Sequence, residues 1–129
     1  MNIVVISSSK VGTKTQTATK KVVELIQAHY PGESLTLIDL KELDIVFSDG
    51  RNYLDYSGDT AYVTKTVMDA NVLFIGAPTF QGSIPATLKN IFDLLPQNAL
   101  YHKTVAMIMM AGSPKHFLVA ETQLKPILS

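Results

Sequence analysis

Cysteine and an excess of either charge are both missing from this chain of 129 residues, and each absence excludes a class of function. Without cysteine the chain forms no disulfide bond, no catalytic thiolate and no Cys-ligated zinc site. Eleven basic residues balance eleven acidic ones, so no positive excess is available to neutralise the phosphates of a duplex. We therefore expect no nucleic-acid partner.

Long apolar runs and targeting signals are lacking as well. No apolar stretch approaches the roughly 20 residues that a transmembrane helix needs. The opening residues, MNIVVISSS, lack the basic region and the length of a signal peptide. The sequence therefore predicts a cytoplasmic protein with no membrane partner.

Several common nucleotide and catalytic motifs are also absent. The chain has no G-x-G-x-x-G motif and no nucleophile elbow, and Lys14 does not directly follow Gly12 as a Walker A loop requires. The end of the first apolar run, ISSS, offers no acidic residue for a receiver-type phosphorylation site. The three histidines lie far apart, so no metal site is predicted.

What is present is an alternation of apolar runs with helical patterns. The apolar runs cover 2–6, 35–39, 72–76 and 104–112, and all but the second are apolar almost without interruption. Continuous apolar runs are typical of strands covered on both faces, as in a parallel sheet. The pattern predicts an α/β fold with an open, doubly wound parallel sheet in a single domain, 1–129.

Four stretches carry helical periodicity, and each predicts one face that packs on the sheet. The third helix is expected to have Ser83 as its N-cap and Pro85 in its first turn. The residues on these faces are Ala18, Val22, Leu25, Ile26 and His29 in the first helix; Tyr62, Val63, Val67 and Ala70 in the second, over 59–70; and Leu88, Ile91, Phe92 and Leu95 in the third. In the fourth, over 116–128, Leu118, Thr122 and Lys125 are spaced helically and Pro126 disturbs the end.

Two features of the chain are unusual for a sheet of this kind: one long connection and the absence of a fifth strand. The stretch 41–58 is long and rich in Asp, Gly and Tyr, which predicts a functional surface loop with a short helical turn. The chain stops at LKPILS, after the fourth helical pattern and without a fifth strand. The run 104–110 would then be an open sheet edge, which natural proteins usually avoid. Either the chain is truncated at its C-terminus, or a partner covers that edge.

Three loops leave the carboxyl ends of the predicted strands, where ligands bind in open α/β sheets. The first, SSSKVGTKT, brings hydroxyls and Lys14 to the start of a helix, where partial positive charge favours a phosphate. An ordinary Ser/Thr-rich capping turn is the alternative. The hydroxyls expected near this helix start are those of Ser7, Ser9, Thr13, Thr15 and Thr17.

The loop APTFQGS suits a flat aromatic ligand, because small residues let the backbone approach the edge of a ring. Pro78-Thr79-Phe80 and Gly82-Ser83 provide small and aromatic groups, and Gly112-Ser113 of the third loop is placed to close the site. The alternative is a tight turn that places Phe80 in the core.

These segments carry a family resemblance. GAPTFQGSIPATLKNIFDLLP is similar to the signature that follows the third strand in the NADPH-dependent FMN reductase family of flavodoxin-like proteins, and especially in its alkanesulfonate-system FMN reductase branch. AGSPKHFLVAETQLKPIL resembles that family's glycine-rich fourth loop and the following helix, and SSSKVGTKTQTA resembles its phosphate loop. The similarity covers the whole chain.

The resemblance implies a flavodoxin-like fold that lacks the family's last strand and binds FMN noncovalently. NADPH or NADH would be the co-substrate, and no acid or base residue would be catalytic. The FMN phosphate would be held by Ser7, Ser9, Thr13, Lys14 and Thr15, and the ring would be flanked by Pro78, Thr79, Phe80, Gly82 and Ser83, with Ala111, Gly112 and Ser113 near its other edge.

The leading hypothesis is an NAD(P)H-dependent FMN reductase that passes electrons on to flavin, quinone-like or azo acceptors. A flavodoxin-type electron carrier without its own enzymatic activity is the main alternative, although such carriers are usually strongly acidic and this chain has no net charge. A nonfunctional or regulatory remnant is the third. Related reductases associate through the helix after the third strand, which implies a homodimer or homotetramer.

Overall fold

A four-stranded parallel sheet forms the centre of the protein in a computed structural model that describes residues 1–129. The strand order is β2-β1-β3-β4, and every neighbouring pair is parallel. This confirms the predicted doubly wound α/β sheet. The strands are β1 (Asn2–Ser7), β2 (Ser34–Asp39), β3 (Val72–Pro78) and β4 (Thr104–Met110).

Helices connect the strands and cover both faces of the sheet. Short 3₁₀ turns lie at Leu40–Glu42, Tyr53–Asp55 and Pro114–His116, and a π-helical turn lies at Ala120–Leu124. None of the helices is both long and apolar enough to cross a membrane. The helices are α1 (Lys14–His29), α2 (Gly58–Asp69), α3 (Ala86–Leu94) and the short α4 (Lys125–Leu128).

Alternate residues of β1 enter two separate cores. Val4 and Ile6 belong to a cluster of 15 buried residues that includes α2 and α3 side chains. Ile3 and Val5 point to the other face and form a cluster of 3 buried residues with Ile26 of α1. A strand buried on both faces explains why its sequence is continuously apolar.

The predicted contact face of α1 is wrong in part. Thr15, Thr19 and Ile26 are buried against the sheet, whereas Leu25 is 48% exposed and His29 is exposed. The cause is the close approach of α1 to β3 at Gly76, where an added Cβ would lie 2.5 Å from Thr19 Cγ2. So close an approach favours small residues over the larger apolar ones that periodicity selects.

The predicted face of α2 is confirmed except at one position. Val63, Val67 and Ala70 are buried, but Tyr62 is exposed. Thr60 and Thr64 are buried beside them. The buried face of α2 therefore includes two threonines, which a search for apolar residues alone does not select.

The start of α3 differs from the prediction. Its N-cap is Pro85, and neither a Ser83 cap nor a Pro85 in the first turn is present. Ser83 instead pairs with Phe80 through two backbone hydrogen bonds, 2.9 and 3.0 Å long, which hold it in a tight turn. Leu88 and Ile91 are buried as predicted, together with Leu94, while Phe92 and Leu95 are half-buried.

The helix predicted over 116–128 is present over 119–128, but it begins three residues later and contains the π-helical turn Ala120–Leu124 before α4. Val119 and Leu124 are buried, while Leu118 is 51% exposed, so the residues singled out by their helical spacing lie on the outer side. Pro126 has no N–H to donate to an α-helical acceptor, and the preceding Lys125 N–H bonds Ala120 O across five residues. The proline therefore changes the hydrogen-bond period, and the buried side changes with it.

The stretch 41–58 lies on the surface and contains the predicted short helical turn. Its backbone is held by neighbouring helices, since Val46 N–H donates to Thr60 Oγ1 at 3.0 Å and Ser48 N–H donates to Asn90 Oδ1 at 2.9 Å. The segment is therefore anchored to both α2 and α3.

The run 104–110 is a sheet edge, as predicted, because β4 pairs only with β3. Its residues after Thr104 are half-buried. The other edge of the sheet is β2.

Replacing Gly76 with alanine should destabilise the fold by about 1–3 kcal/mol, the usual cost of overpacking. The new Cβ would lie 2.5 Å from Thr19 Cγ2, and Thr19 cannot rotate freely because its hydroxyl donates to Thr15 O and Gln16 O. Urea unfolding monitored by circular dichroism measures the change. Gly32→Ala is the control, since its Cβ would meet nothing within 4 Å. Equal stability of the two variants would contradict this account of the α1 packing.

Candidate functional site

The three predicted loops meet at the carboxyl ends of β1, β3 and β4. They enclose a cavity of about 400 Å³, within the usual range for small-ligand sites. The lining residues are Ser9, Val11, Gly12, Thr13, Lys14 and Thr15 from the first loop, Pro78 and Thr79 from the second, Met110 from the end of β4, and Ala111 and Gly112 from the third loop.

A row of free backbone N–H groups begins in residues 12 to 15, which line this cavity, and ends at the next residue, Gln16. The N–H groups of residues 12 to 16 donate to no protein acceptor. Those of residues 14 to 16 begin α1 and have no intrahelical partner, and no side chain caps this helix. Such a row is suited to an anion with several acceptor oxygens.

The charges around the row also favour an anion. The first turn of α1 contains no acidic residue but does contain Lys14, whose positive charge is unfavourable beside the positive end of a helix dipole. No carboxylate and no histidine lines the cavity. A bound anion would relieve the repulsion between Lys14 and the helix terminus.

Hydrogen bonds from distant residues fix the start of the first loop. The backbone N–H and the hydroxyl of Ser8 both donate to Gly76 O, at 3.0 and 2.9 Å. The Thr87 hydroxyl of α3 donates to Ser8 O at 2.9 Å. Sequence reasoning missed Ser8 and Thr87 because no local pattern connects residues 79 positions apart.

Two buried hydroxyls near the loops have no protein partner. These are Ser7 Oγ, at the end of β1, and Thr79 Oγ1, whose residue lines the cavity. Buried hydroxyls are normally hydrogen-bonded, and an exception needs an explanation. At Thr79 a ligand in the cavity supplies one.

The predicted site residues fall into two groups. Ser9, Thr13, Lys14, Thr15, Pro78, Thr79, Ala111 and Gly112 line one cavity, whereas Ser7, Phe80, Gly82, Ser83 and Ser113 lie outside its lining. Val11, Gly12 and Met110 line the cavity but were not predicted as site residues. Val11 and Gly12 lie inside the first predicted loop, whereas Met110 ends the strand that precedes the third.

Phe80 is not a core residue. Its side chain is 47% exposed, so the alternative of a turn with Phe80 in the core is wrong. It precedes Gln81 and Gly82, whose φ angles of 51° and 72° form a left-handed turn closed by Ser83. The ring is thus held at the surface by a rigid turn that follows the cavity-lining Thr79.

The perturbed ionisable groups lie away from the cavity. Hydrogen bonds from Arg51 lower the pKa of Asp49, and the same contact raises the pKa of Arg51. Burial lowers the pKa of Lys103, whose ammonium donates to Met68 O and Ala70 O at the end of α2. None of the three lines the cavity, so these shifts are structural features of other surfaces.

Comparison with known proteins identifies the family. The model of the NADPH-dependent FMN reductase family matches residues 1–129. The chain belongs to this family. As its name says, the family groups reductases of FMN that depend on NADPH.

Individual relatives agree with this assignment. The chain is 41% identical over 129 residues to an NAD(P)H-dependent FAD/FMN reductase from Geobacillus thermodenitrificans, covering 100% of this chain and 70% of that protein. It is 29% identical to the NADH-dependent FMN reductase SfnF of Pseudomonas fluorescens, covering 91% of this chain and 62% of that protein. This FMN reductase family member thus spans about two thirds of the length of these relatives.

Solved structures show the same fold. The apo form of an NADH:FMN oxidoreductase, EMOB, superposes with a TM-score of 0.84 at 26% identity, covering 98% of this chain and 67% of that one. The azoreductase AzrA superposes with a TM-score of 0.74 at 12% identity, covering 99% of this chain and 80% of that one, and shows the fold alone.

Replacing Thr15 with valine should weaken FMN binding by about 1–3 kcal/mol, the cost of a lost hydrogen bond to a charged group. Thr15 lines the cavity in the first turn of α1, and valine keeps a similar volume without the hydroxyl. Titration of the apoprotein with FMN, followed by flavin fluorescence, measures the change.

The matched control is Thr66→Val. The Thr66 hydroxyl donates to Tyr62 O of its own helix, α2, and does not line the cavity. Unchanged FMN affinity in a folded Thr15→Val variant would place the phosphate elsewhere.

Proposed function

We propose that the protein holds FMN in the cavity at the carboxyl end of the sheet and catalyses the reduction of flavin by NAD(P)H. The observation that carries the proposal is the row of free N–H groups from residues 12 to 16 on a cavity without carboxylates. A terminal phosphate provides the acceptor oxygens that such a row requires. Membership of the FMN reductase family supports the same ligand.

The phosphate would be held mainly by backbone and by the first turn of α1. Lys14 and the hydroxyls of Thr13 and Thr15 lie on the cavity wall with the free N–H groups. Charge-assisted hydrogen bonds are worth about 1.5–3 kcal/mol each, so three or four of them account for much of a micromolar affinity, about −8 kcal/mol.

Ser9 has a different task from the other hydroxyl residues. Its Oγ donates to Val11 O within the same loop. Since its only proton is used there, Ser9 shapes the loop and does not donate to the phosphate. Ser7 lies outside the cavity lining, and its contact with FMN stays a prediction.

The ring system would lie against the second and third loops. Thr79 N–H donates to Met110 O at 2.7 Å, which joins these loops into one wall. Pro78 and Ala111-Gly112 add small residues that let a flat ligand approach the backbone. The Phe80, Gly82, Ser83 and Ser113 contacts predicted from the family resemblance remain proposals for the outer part of this wall.

FMN, when bound, supplies the chemistry by accepting a hydride from reduced nicotinamide. The protein binds and orients the two reactants, which explains why the cavity needs no carboxylate or histidine in its lining. Flavin, quinone-like and azo compounds are the proposed acceptors. A relative from Staphylococcus haemolyticus that is 28% identical over 120 residues is named an FMN-dependent NADPH-azoreductase, which supports the last class.

A flavodoxin-type carrier is the second candidate. Its support is the fold itself, but the balanced charge of this chain lacks the acidic surface by which such carriers dock basic partners. The relatives' names also describe reductases. The reductase function is therefore favoured.

The experiment that tests the proposal is anaerobic mixing of the FMN-loaded protein with NADPH or NADH. The flavin absorbance band should bleach within a catalytic time and recover when an acceptor is added. Free FMN mixed with the same nicotinamide is the control. Bleaching by a chemical reductant but by neither nicotinamide would favour the electron carrier.

We also propose that the protein acts in the cytoplasm as a homodimer or homotetramer. The edge strand β4 supports association, because it pairs with β3 on one side and with no strand on the other. Helix α3 supports it less than its sequence suggested, because none of its large apolar side chains is exposed. The proposed contact is therefore the β4 edge, which a second copy covers by pairing with its free N–H and C=O groups.

Light scattering during size-exclusion chromatography should give at least twice the chain mass of 14.1 kDa. Dilution should lower the apparent mass and the thermal stability together, because pairing at β4 contributes to folding. A folded monomer whose stability does not change with micromolar concentration would contradict this assembly.

A further inference from the structure

Two lysines join the phosphate loop to the segment that follows β2. Lys41 Nζ donates to Gly12 O at 3.2 Å, and Lys10 Nζ donates to Leu43 O at 3.1 Å. One bond runs from the segment to the loop, and the other runs from the loop to the segment. Neither lysine forms an ion pair with a carboxylate.

The bond from Lys41 constrains the direction of a free N–H group. In a trans peptide, the carbonyl oxygen and the N–H of the next residue point in opposite directions. A Gly12 carbonyl held toward Lys41 therefore turns the Thr13 N–H away from Lys41. In the same way, the Ser9 hydroxyl holds Val11 O and fixes the Gly12 N–H.

The N–H groups of Gly12 and Thr13 are thus fixed in direction, because the carbonyl of each peptide accepts a hydrogen bond from a side chain. Gly12 has a left-handed φ of 81° and Thr13 a φ of −126°. Successive N–H groups around a left-handed residue form a concave anion site, or nest. The flexible glycine needs an external contact to hold this shape, because its backbone is the least restricted of any residue.

We propose that Lys41 is a positioning residue for the FMN phosphate. Its ammonium holds the Gly12 carbonyl and thereby orients the N–H groups of the nest. The inference rests on the proposed function and adds a residue from outside the three loops. Lys41 does not line the cavity, so it acts through Gly12 and not by contact with the phosphate.

The backbone of Lys41 is itself anchored near α1. Its N–H donates to Asp39 Oδ1 at 3.1 Å, and the other oxygen of Asp39 accepts from Gln16 Nε2 at 3.2 Å. Asp39 thus links the backbone of Lys41 to Gln16 in the first turn of α1, where the row of free N–H groups ends. Because both ends of the contact are held, the loop is ordered before the ligand arrives, which reduces the entropy cost of binding.

The test compares FMN with riboflavin, which lacks the phosphate, in Lys41→Met, Lys41→Arg and the wild type. We expect Lys41→Met to raise the Kd of FMN about tenfold, equivalent to about 1.4 kcal/mol, and to leave riboflavin binding unchanged. Arginine should restore most of the FMN affinity, since it can donate to the same carbonyl. Lys20→Met, an exposed lysine on α1, removes the same charge without touching the loop.

A second measurement separates positioning from long-range charge. At about 0.5 M salt, attraction between exposed charges is largely screened, so the effect of Lys41→Met should persist if it arises from loop geometry. An effect that disappears in salt, or that Lys20→Met reproduces, would overturn the inference. So would unchanged FMN affinity in Lys41→Met while the wild type binds FMN. A wild type that binds no FMN would overturn the proposed function as well.

Discussion

The carbonyl of Gly76 is the contact on which the arrangement of the site depends. It accepts both the N–H and the hydroxyl of Ser8, which fixes the point where the first loop leaves β1. The missing side chain of the same residue lets Thr19 of α1 pack directly on β3. The loop and the helix that begins from it are therefore positioned by one residue of the neighbouring strand.

The site acts through backbone groups held in place by the fold. Its free N–H groups, the helix terminus and Lys14 create a positive region, and no carboxylate or histidine lines the cavity. This suits a reaction whose chemistry belongs to a cofactor, because the protein then needs to supply only binding and orientation. The segment after β2 connects this region to α2 and α3 through Thr60 and Asn90, so the whole layer supports the loop.

The sequence alone was sufficient for the sheet, its β4 edge and the three loops at one end. Strands buried on both faces carry continuous apolar runs, and the carboxyl ends of parallel strands lie on the same side of a sheet. For this reason Ser9, Thr13, Lys14, Thr15, Pro78, Thr79 and Gly112 were expected near one site, and they are found around one cavity. Ala111, which the family resemblance added, lines the same cavity. The family resemblance, confirmed across residues 1–129, added the ligand class.

Only the tertiary structure decided which side of each helix is buried and which distant residues hold the loop. The packing of Thr19 on Gly76 moved the buried face of α1 away from Leu25, and Pro126 moved the buried side of the C-terminal segment. The contacts of Ser8 with Thr87 and of Lys41 with Gly12 join residues 79 and 29 positions apart. Local patterns report burial and periodicity, but such pairs exist only once the chain has folded.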